Sequence, residues 1–280
     1  MKPFLFVLIC IFSISDSVNA SNAFEIPRST TVELRDPSSD RTYPIFIKLP
    51  PSYHHNKAKT YPVVYLLDAI YAFQIVSGAT RFPMNTRKMR EAIIVGISYE
   101  KGISGGDSRI RDFTPVRSQL WRRTTGGAAQ HLAFIETKIF KYIEENYRVD
   151  NEDRTFMGNS LGGLFGTYVL LTKPDLFKNY ILGSPSYWFD NNYIFRLEKS
   201  AGRSLPKIHA NVFLGIGERE TKSLDGRYDM VQDAQAFIEM MQAWNQPDLR
   251  VKLLVIPEAN HQTAFPTTAI QGLHWLYGTK

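Results

Sequence analysis

The chain has 280 residues, a net charge of +6, 44% hydrophobic residues and a single cysteine. This composition is typical of a folded globular protein and excludes a disordered chain, a collagen and a coiled coil. One cysteine can neither form an intramolecular disulfide nor supply the thiolates of a zinc or iron–sulfur cluster. The basic residues are scattered rather than concentrated in one segment, so the charge does not favour nucleic acid as a partner.

The first twenty residues have the pattern of a targeting segment. Lys2 is followed by an apolar run over positions 4–14 and then by small polar residues that end in Val-Asn-Ala at Ala20. A charged start, a short apolar run and a small-x-Ala end are typical of a secretory signal peptide. The run is shorter than the ~20 apolar residues that a membrane-spanning helix needs.

We therefore predict a signal peptide over residues 1–20 and one domain over residues 21–280. Cleavage is expected after Ala20, with Ala23 as the second choice; an uncleaved anchor or a buried N-terminal strand is the alternative. The expected location is periplasmic or secreted, with no stable membrane insertion after cleavage. The mature chain would then lack Cys10, the one cysteine, which excludes a cysteine nucleophile.

Along the rest of the chain, short apolar runs alternate with segments of helical spacing. The predicted strands are residues 30–34, 45–49, 62–67, 92–97, 154–158, 210–217 and 251–256. The predicted helices are residues 131–147, 161–171 and 230–244. This alternation predicts an α/β fold, a mostly parallel sheet with helices on both faces, after an antiparallel opening by the first two strands. Ligands of such sheets bind beyond the carboxyl ends of the strands.

The sequence Gly158-Asn159-Ser160-Leu161-Gly162 lies between a predicted strand and a predicted helix. G-x-S-x-G in this context is the pattern of a nucleophile elbow, a tight turn that lifts a serine hydroxyl above the sheet. We predict that Ser160 is a nucleophile and that the Leu161 backbone N–H helps to stabilise an oxyanion. The alternative is a serine in a purely structural turn.

A serine nucleophile needs a general base, and three histidines follow Ser160. His209 precedes a predicted strand and so lies at the wrong end of the sheet, while His274 falls in the last helix and is expected at the edge of the core. His261 follows the strand over residues 251–256 and is the predicted base.

The acid that orients the histidine should also follow a strand. The strand over residues 210–217 is followed by Glu218-Arg219-Glu220. Glu220 is the first choice for the acid and Glu218 the second, with Asp225 and Asp229 further along the same loop. Each could instead be a solvated loop carboxylate.

A second oxyanion donor is expected after the first central strand. The strand over residues 62–67 is followed by Asp68, Ala69 and Ile70, and the backbone N–H of Ala69 or Ile70 is the candidate. Asp68 comes too early for the acid and is expected to hold this loop. We predict neither a metal nor a cofactor.

Several further motifs occur in order along the chain. They are Tyr61-Pro62-Val63-Val64-Tyr65-Leu66-Leu67-Asp68, Arg109-Ile110-Arg111-Asp112-Phe113-Thr114-Pro115, Gly126-Gly127, Tyr147-Arg148-Val149, the elbow with Gly163-Leu164-Phe165, Pro174-Asp175-Leu176-Phe177 and Ser184-Pro185-Ser186-Tyr187-Trp188. Together they resemble the putative esterase family of α/β-hydrolases, and the resemblance runs from Thr42 to the C-terminus. That family includes enterobactin, salmochelin and feruloyl esterases, S-formylglutathione hydrolase and mycolyltransferases, and the likeness is greatest to the branch of periplasmic salmochelin esterase-like hydrolases.

The resemblance implies the same nucleophile and base, and it implies Glu220 as the acid three residues after Gly217. Some siderophore esterases are thought to use a serine–histidine dyad, in which the acid contributes little. Relatives usually have glycine where this chain has Ala69, which leaves the conformation of the second oxyanion donor open.

The motif that begins at Arg109 resembles a loop beside the active site. The resemblance implies that Arg109 contacts an anion or the substrate, or else forms a salt bridge with Asp112. It also implies a substrate contact for Trp188.

These features together predict an exported serine hydrolase that cleaves small-molecule carboxylic esters through an acyl-enzyme, with a siderophore trilactone as the first substrate hypothesis. A general short-chain carboxylesterase and an acyltransferase of the same fold are the alternatives within the enzyme class. A non-catalytic binding protein with the hydrolase fold is the alternative outside it. The oligomeric state stays open.

Overall fold

The computed structural model describes residues 24–201, 207–225 and 227–279. The predicted signal peptide and both predicted cleavage sites lie outside these residues. Within the described ranges, no helix is both long enough and apolar enough to cross a membrane.

Eight strands of the described chain form one sheet in the order β1-β2-β4-β3-β5-β6-β7-β8. β1 pairs antiparallel with β2, β2 pairs antiparallel with β4, and every pairing from β4 to β8 is parallel. The strands are β1 (Ser29–Arg35), β2 (Thr42–Lys48), β3 (Tyr61–Leu66), β4 (Ile93–Ile97), β5 (Val149–Asn159), β6 (Asn179–Gly183), β7 (Ala210–Gly217) and β8 (Leu249–Ile256).

The helices cover both faces of this sheet, as the α/β prediction expected. They are α1 (Ala69–Asn85), α2 (Gly105–Phe113), α3 (Ala128–Phe134), α4 (Lys141–Asn146), α5 (Leu161–Thr172), α6 (Phe189–Ala201), α7 (Lys222–Asp225), α8 (Met230–Ala243) and α9 (Ala264–Tyr277). A π-helical segment (Ile135–Phe140) joins α3 to α4, and a 3-10 turn (Pro174–Leu176) precedes β6.

Two apolar cores fill the space between the sheet and its helices. Helices α1 and α9 pack on one face, and helices α2, α3, α5 and α8 pack on the other. Strands β3, β4 and β6 are buried along their whole length, as expected for parallel strands covered on both faces. Full burial of one aliphatic side chain contributes about 1.5–3 kcal/mol, so these strands anchor the sheet.

The predicted strands are confirmed with shifts of a few residues at their ends, but β6 was not predicted. The predicted helix over residues 131–147 is part of a longer helical stretch that begins at Ala128 and includes the π-helical segment. The motif that begins at Arg109 lies on α2 and its C-cap Thr114, so its interpretation as a loop was wrong.

The carboxyl ends of the parallel strands carry three residues with backbone strain. Asp68 after β3, Ser160 after β5 and Ser184 after β6 all have positive φ, at 54°, 59° and 37°. Non-glycine residues rarely adopt this region, and such strain concentrates at functional sites. The carboxyl ends of these strands are therefore the expected location of a functional site.

Candidate active site

Ser160 occupies the tight turn between β5 and α5 with φ 59° and ψ −118°. The turn closes because residue 158 is glycine: a Cβ there would lie 2.5 Å from the Gly162 carbonyl oxygen. The Ser160 N–H donates to the Gly183 carbonyl oxygen of β6 over 2.9 Å. A conformation of this kind costs about 1–3 kcal/mol, which the packed surroundings must offset.

The hydroxyl of Ser160 has a second hydroxyl beside it. Its Oγ lies 3.2 Å from the Oγ of Ser186, and the Ser186 N–H donates to the Ser160 carbonyl oxygen over 3.1 Å. Leu161 is the first residue of α5. Its N–H belongs to the first turn, which has no acceptor within its own helix.

His261 and Glu220 form a hydrogen-bonded pair. The Nδ1 of His261 lies 2.6 Å from Oε2 of Glu220, whose side chain is buried. The other oxygen, Oε1, accepts hydrogen bonds from the Ser184 hydroxyl at 2.6 Å and the Gly217 N–H at 2.8 Å. A proton on Nδ1 directed at the carboxylate leaves Nε2 as the acceptor nitrogen of a neutral imidazole.

The same hydrogen bonds connect the histidine to the serine turn. Ser160 is fastened to Gly183 at the end of β6, the next residue Ser184 binds Glu220, and Glu220 binds His261. The N–H of Ser184 also donates to the end of β7 at Gly215. The structure therefore brings the predicted serine, histidine and first-choice acid to the same edge of the sheet.

The other carboxylates on the loop have different partners. Glu218 is exposed and accepts from the N–H of Glu258, so the structure pairs His261 with Glu220 and not with the second-choice acid. Asp229 caps α8 by accepting from the N–H of Gln232. The side chain of Asp225 lies outside the described residues.

The two other histidines lie away from this edge. His209 precedes β7 and its Nδ1 is 3.0 Å from Asp248, at the opposite end of the sheet, as expected. His274 is exposed on α9, so its predicted place at the edge of the core was wrong.

On the other side of Ser160, Asp68 is bound by Arg109 and Tyr99. Arg109 makes a two-pronged contact with the carboxylate, Nε to Oδ1 at 2.9 Å and NH2 to Oδ2 at 3.1 Å, and the Tyr99 hydroxyl donates over 2.8 Å. Burial would lower the pKa of Arg109, but the ion pair outweighs it and raises that pKa.

The predicted salt bridge between Arg109 and Asp112 was wrong. Asp112 is paired with Arg111 at 2.7 Å, because the two guanidinium groups on α2 extend to different sides of the helix. The predicted role of Asp68 in holding its loop agrees with these contacts.

Ala69 and Ile70 are the first two residues of α1, whose first backbone N–H groups have no acceptor within the helix. The positive φ lies at Asp68 and not at Ala69. Alanine is accommodated there because it faces Gly96, where an added Cβ would come within 2.9 Å of the Ala69 Cβ. The N–H groups of Ala69 and Ile70 therefore stay available as hydrogen-bond donors, although position 69 has alanine in place of the glycine usual in relatives.

A cleft of about 710 Å³ opens beside His261 and is lined by aromatic rings. Trp188 stacks on Tyr228 with ring centroids 4.3 Å apart and planes within 6°, and Trp121 stacks on Trp188 at 6.1 Å and 8°. We call Trp121, Trp188 and Tyr228 the aromatic wall. Trp188, a predicted substrate contact, lies in this cleft.

Arg109 lines a different and smaller cavity of about 160 Å³, next to Asp68, Tyr71 and Asn159. Sequence reasoning missed Ser184, Ser186, Trp121 and Tyr228. The two serines belong to the Ser-Pro-Ser-Tyr-Trp motif, which the family resemblance includes, but β6, the strand before this motif, was not predicted.

Among the described residues, no group of three or more His, Cys, Asp or Glu side chains could hold a metal ion. The polar groups at the strand ends instead comprise a hydroxyl, an imidazole, a buried carboxylate and free backbone N–H groups. This set can perform acyl transfer by an activated serine.

Comparisons with known proteins agree with this chemistry. The family described as "Putative esterase" matches residues 37–253. The ferri-bacillibactin esterase BesA of Bacillus subtilis is 33% identical over 271 residues, covering 91% of this chain and 91% of that protein. The BES protein of Bacillus cereus superposes with a TM-score of 0.81 at 28% identity, covering 95% of this chain and 100% of that one.

An IroE-like serine hydrolase from Shewanella oneidensis superposes with a TM-score of 0.76 at 24% identity, covering 89% of this chain and 80% of that one. The architecture is therefore the α/β-hydrolase fold, and the family resemblance noted from the motifs is confirmed. The chain belongs to the putative esterase family and is an ester hydrolase.

Proposed function

We propose that the protein is an exported serine esterase that hydrolyses the ester bonds of a siderophore through an acyl-enzyme. The observation that carries this proposal is the hydrogen-bonded series from Ser160 through Gly183 and Ser184 to Glu220 and His261. A solvated loop carboxylate would not be buried with three donors around it.

In the proposed reaction, the Oγ of Ser160 attacks the ester carbonyl carbon while Nε2 of His261 takes its proton. Collapse of the tetrahedral intermediate breaks the bond to the leaving oxygen, and His261 returns the proton to that oxygen. Water then attacks the acyl-enzyme with the same base, which releases the carboxylic acid and restores the Ser160 hydroxyl. Glu220 keeps the imidazole oriented and stabilises the imidazolium.

The developing oxyanion is assigned to the backbone N–H of Leu161 and to that of Ala69 or Ile70. Both positions are first-turn residues of helices, α5 and α1, so their N–H groups are unpaired and the helix dipoles favour negative charge there. Preorganised donors of this kind typically contribute about 10²–10³-fold to kcat each.

The substrate class is supported by two observations. A relative that matches nearly the whole chain bears the name ferri-bacillibactin esterase. The cleft beside His261 combines the aromatic wall with Arg227 and with Asp190, whose carboxylate is paired with Arg196. This lining suits a substrate that has flat rings and negative charge.

Export is supported by the charged start, the apolar run over positions 4–14 and the small residues that end at Ala20. N-terminal sequencing of the protein recovered from fractionated cells tests it. A chain that begins at Ser21 or Phe24 outside the cytoplasm supports export, and an intact N-terminus in the cytoplasm contradicts it.

The catalytic proposal is tested with the variant Ser160→Ala. We expect hydrolysis of p-nitrophenyl butyrate to fall by at least about 10³-fold, and a fluorophosphonate probe to modify the wild-type protein on the peptide that contains Ser160. The matched control Ser39→Ala removes a hydroxyl from the turn between β1 and β2 and should behave like wild type.

Normal turnover by Ser160→Ala would overturn the serine mechanism, and a wild-type protein that reacts with neither ester nor probe would favour a binding protein with the hydrolase fold. A panel of esters that includes ferric and iron-free siderophore lactones then tests the substrate. Recovery of the free acid rather than a new ester in the presence of added alcohols distinguishes hydrolysis from acyl transfer.

A further inference from the structure

A second cavity of about 440 Å³ lies away from the catalytic cleft, between helix α1 and the segment that precedes β1. Its walls have two characters. Phe24, Ile26 and Pro27 make one side apolar, while Lys48, Ser77 and Arg81 make the other polar. Neither the cleft of His261 nor the small cavity of Arg109 shares these residues.

Lys48 is the most unusual group in this cavity. It ends β2, its side chain is 6% exposed, and its Nζ has one hydrogen bond, to the Ser77 carbonyl oxygen at 2.6 Å. An ammonium group has three donors, so this one is only partly satisfied. Burial, together with the nearby charges of Arg28 and Arg81, lowers the pKa of Lys48 to about 8.

The positive charge is not balanced within the described part of the chain. Arg28 donates its Nε to the Leu49 carbonyl oxygen, and Arg81 lies at the junction of this cavity with a narrow neighbouring one. No carboxylate among the described residues forms an ion pair with Arg28, Lys48 or Arg81, and none lines either cavity. Three cations without a counter-charge repel one another, and a bound anion would relieve that repulsion.

Two features of α1 shape the site. The Ser77 hydroxyl is buried and has no hydrogen-bond partner, although unpaired buried polar groups are rare and costly. Gly78 has nothing within 4 Å of where its Cβ would stand, so the cavity is open above the helix at this point. Glycine inside a helix costs about 1 kcal/mol relative to alanine, and here its effect is to leave room.

We propose that this cavity binds an amphiphilic anion, a phosphate or carboxylate group carried on a short apolar chain. The anionic group accepts hydrogen bonds from Lys48, the Ser77 hydroxyl and Arg81. The apolar chain passes over Gly78 and packs against Ile26 and Phe24.

This site is independent of the proposed catalysis. Ser77 follows Ala69 by two turns of α1, which corresponds to about 12 Å along the helix axis. Its occupation requires no reaction at Ser160, so binding can be measured in wild-type protein and in Ser160→Ala alike. A failure of the esterase proposal therefore leaves this one open to test, and the reverse also holds.

The test is isothermal titration calorimetry of the protein with octyl phosphate, octanol and inorganic phosphate at pH 7. We expect octyl phosphate to bind at least tenfold more tightly than either of the other two, because each lacks one half of the ligand. The variant Lys48→Met keeps the unbranched apolar stem of the side chain without its charge and should weaken binding about tenfold to a hundredfold.

The variant Gly78→Leu fills the open space and should abolish binding, while its better helix propensity maintains folding. The matched control Lys138→Gln removes an exposed charge from the opposite face of the sheet and should bind octyl phosphate like wild type. Flotation with phosphatidylglycerol vesicles identifies the source of the anion: binding that Gly78→Leu abolishes assigns a lipid headgroup, and its absence assigns a soluble amphiphile.

The proposal is overturned if octyl phosphate does not bind, if inorganic phosphate or octanol binds equally well, or if Lys48→Met and Gly78→Leu bind like wild type. Circular dichroism and the unfolding midpoint of each variant separate loss of the site from loss of the fold.

Discussion

Two buried carboxylates flank Ser160, and their partners differ in kind. Glu220 binds the imidazole of His261, the proposed general base, whose side chain is 29% exposed toward the cleft. Asp68 binds the guanidinium of Arg109, which stays charged at every relevant pH. Glu220 is therefore suited to support proton transfer by His261, and Asp68 is suited to hold a fixed backbone conformation.

The surroundings of Asp68 show which parts of the backbone its ion pair with Arg109 holds in place. The residue precedes α1 in a strained left-handed conformation, directly before the two candidate oxyanion donors. Its Oδ2 lies 3.4 Å from where a Cβ would stand on Gly162, and Arg109 reaches the Asn159 carbonyl oxygen at 3.5 Å. The ion pair thus contacts the turn on both sides of Ser160 and is placed to keep α1 and the turn in register.

The largest effect is expected from Glu220→Gln. The amide cannot hold the same imidazole tautomer or stabilise the imidazolium, so kcat should fall about 10²–10⁴-fold. Stability should change little, because glutamine keeps the size of the side chain. Steady-state kinetics with p-nitrophenyl butyrate measures the loss, and urea unfolding measures the stability.

Glu218→Gln is the matched control, because Glu218 lies two residues away, is exposed and makes no contact with His261. It should retain wild-type kcat. If Glu220→Gln also retains full activity, the acid is dispensable and the serine–histidine dyad describes the enzyme.

Asp68→Asn alters the other carboxylate, and it should reduce stability more and kcat less than Glu220→Gln does. It leaves the partly buried Arg109 without its counter-charge, which should cost about 2–4 kcal/mol of unfolding free energy. The fall in kcat should be only about tenfold, because the oxyanion donors are displaced while the His261–Glu220 pair stays intact. Urea unfolding and kinetics on one preparation provide both numbers.

The pH profile of kcat sharpens this contrast. Asp68→Asn should lower kcat at every pH without changing the shape of the profile, since His261 keeps its partner Glu220. A changed shape, or a larger loss of kcat than in Glu220→Gln, would contradict the division of roles between the two carboxylates. Asp107→Asn, which alters an exposed carboxylate paired with Arg123, controls for the charge change.

The two sides of the site also differ in how far the sequence predicts them. The positions of Ser160, Glu220 and His261 follow from local patterns, because each lies within five residues of the carboxyl end of an apolar strand. The partner of Asp68 does not follow, because Arg109 is 41 residues away and a neighbouring arginine competes for the prediction. Pairing over that separation depends on how α2 packs against the sheet.

The sequence predicts neither strand β6 nor the stacking of the aromatic wall. β6 is only five residues long and begins with Asn179, a buried polar residue that is satisfied by Asp153 and Asn211. Trp121 and Tyr228 lie in loops, where apolar residues do not recur at a regular spacing from which their contacts could be predicted. Their stacking with Trp188 emerges only when three separate chain segments meet.

The smallest expected effect concerns the support of Glu220 rather than the carboxylate itself. Helix α8 holds the Glu220 carbonyl oxygen through the N–H groups of Met230 and Val231, and Asp233 lies one turn further. Burial, together with the charge of Asp229, raises the pKa of Asp233 to about 6. Its ionised form is therefore disfavoured in the folded protein.

Because this pKa is higher folded than unfolded, ionisation of Asp233 costs stability as the pH rises above about 4, with the full cost present above 6. Asp233→Asn should therefore raise the unfolding free energy at pH 7 by about 1 kcal/mol, after allowance for partial solvent screening, and should have no effect below pH 4. Glu239→Gln, an exposed change on the same helix, should have no effect at either pH. If Asp233→Asn and wild type are equally stable at pH 7, ionised Asp233 does not destabilise helix α8. A gain in stability without a change in kcat would show that the ionisation of Asp233 does not affect the His261–Glu220 pair.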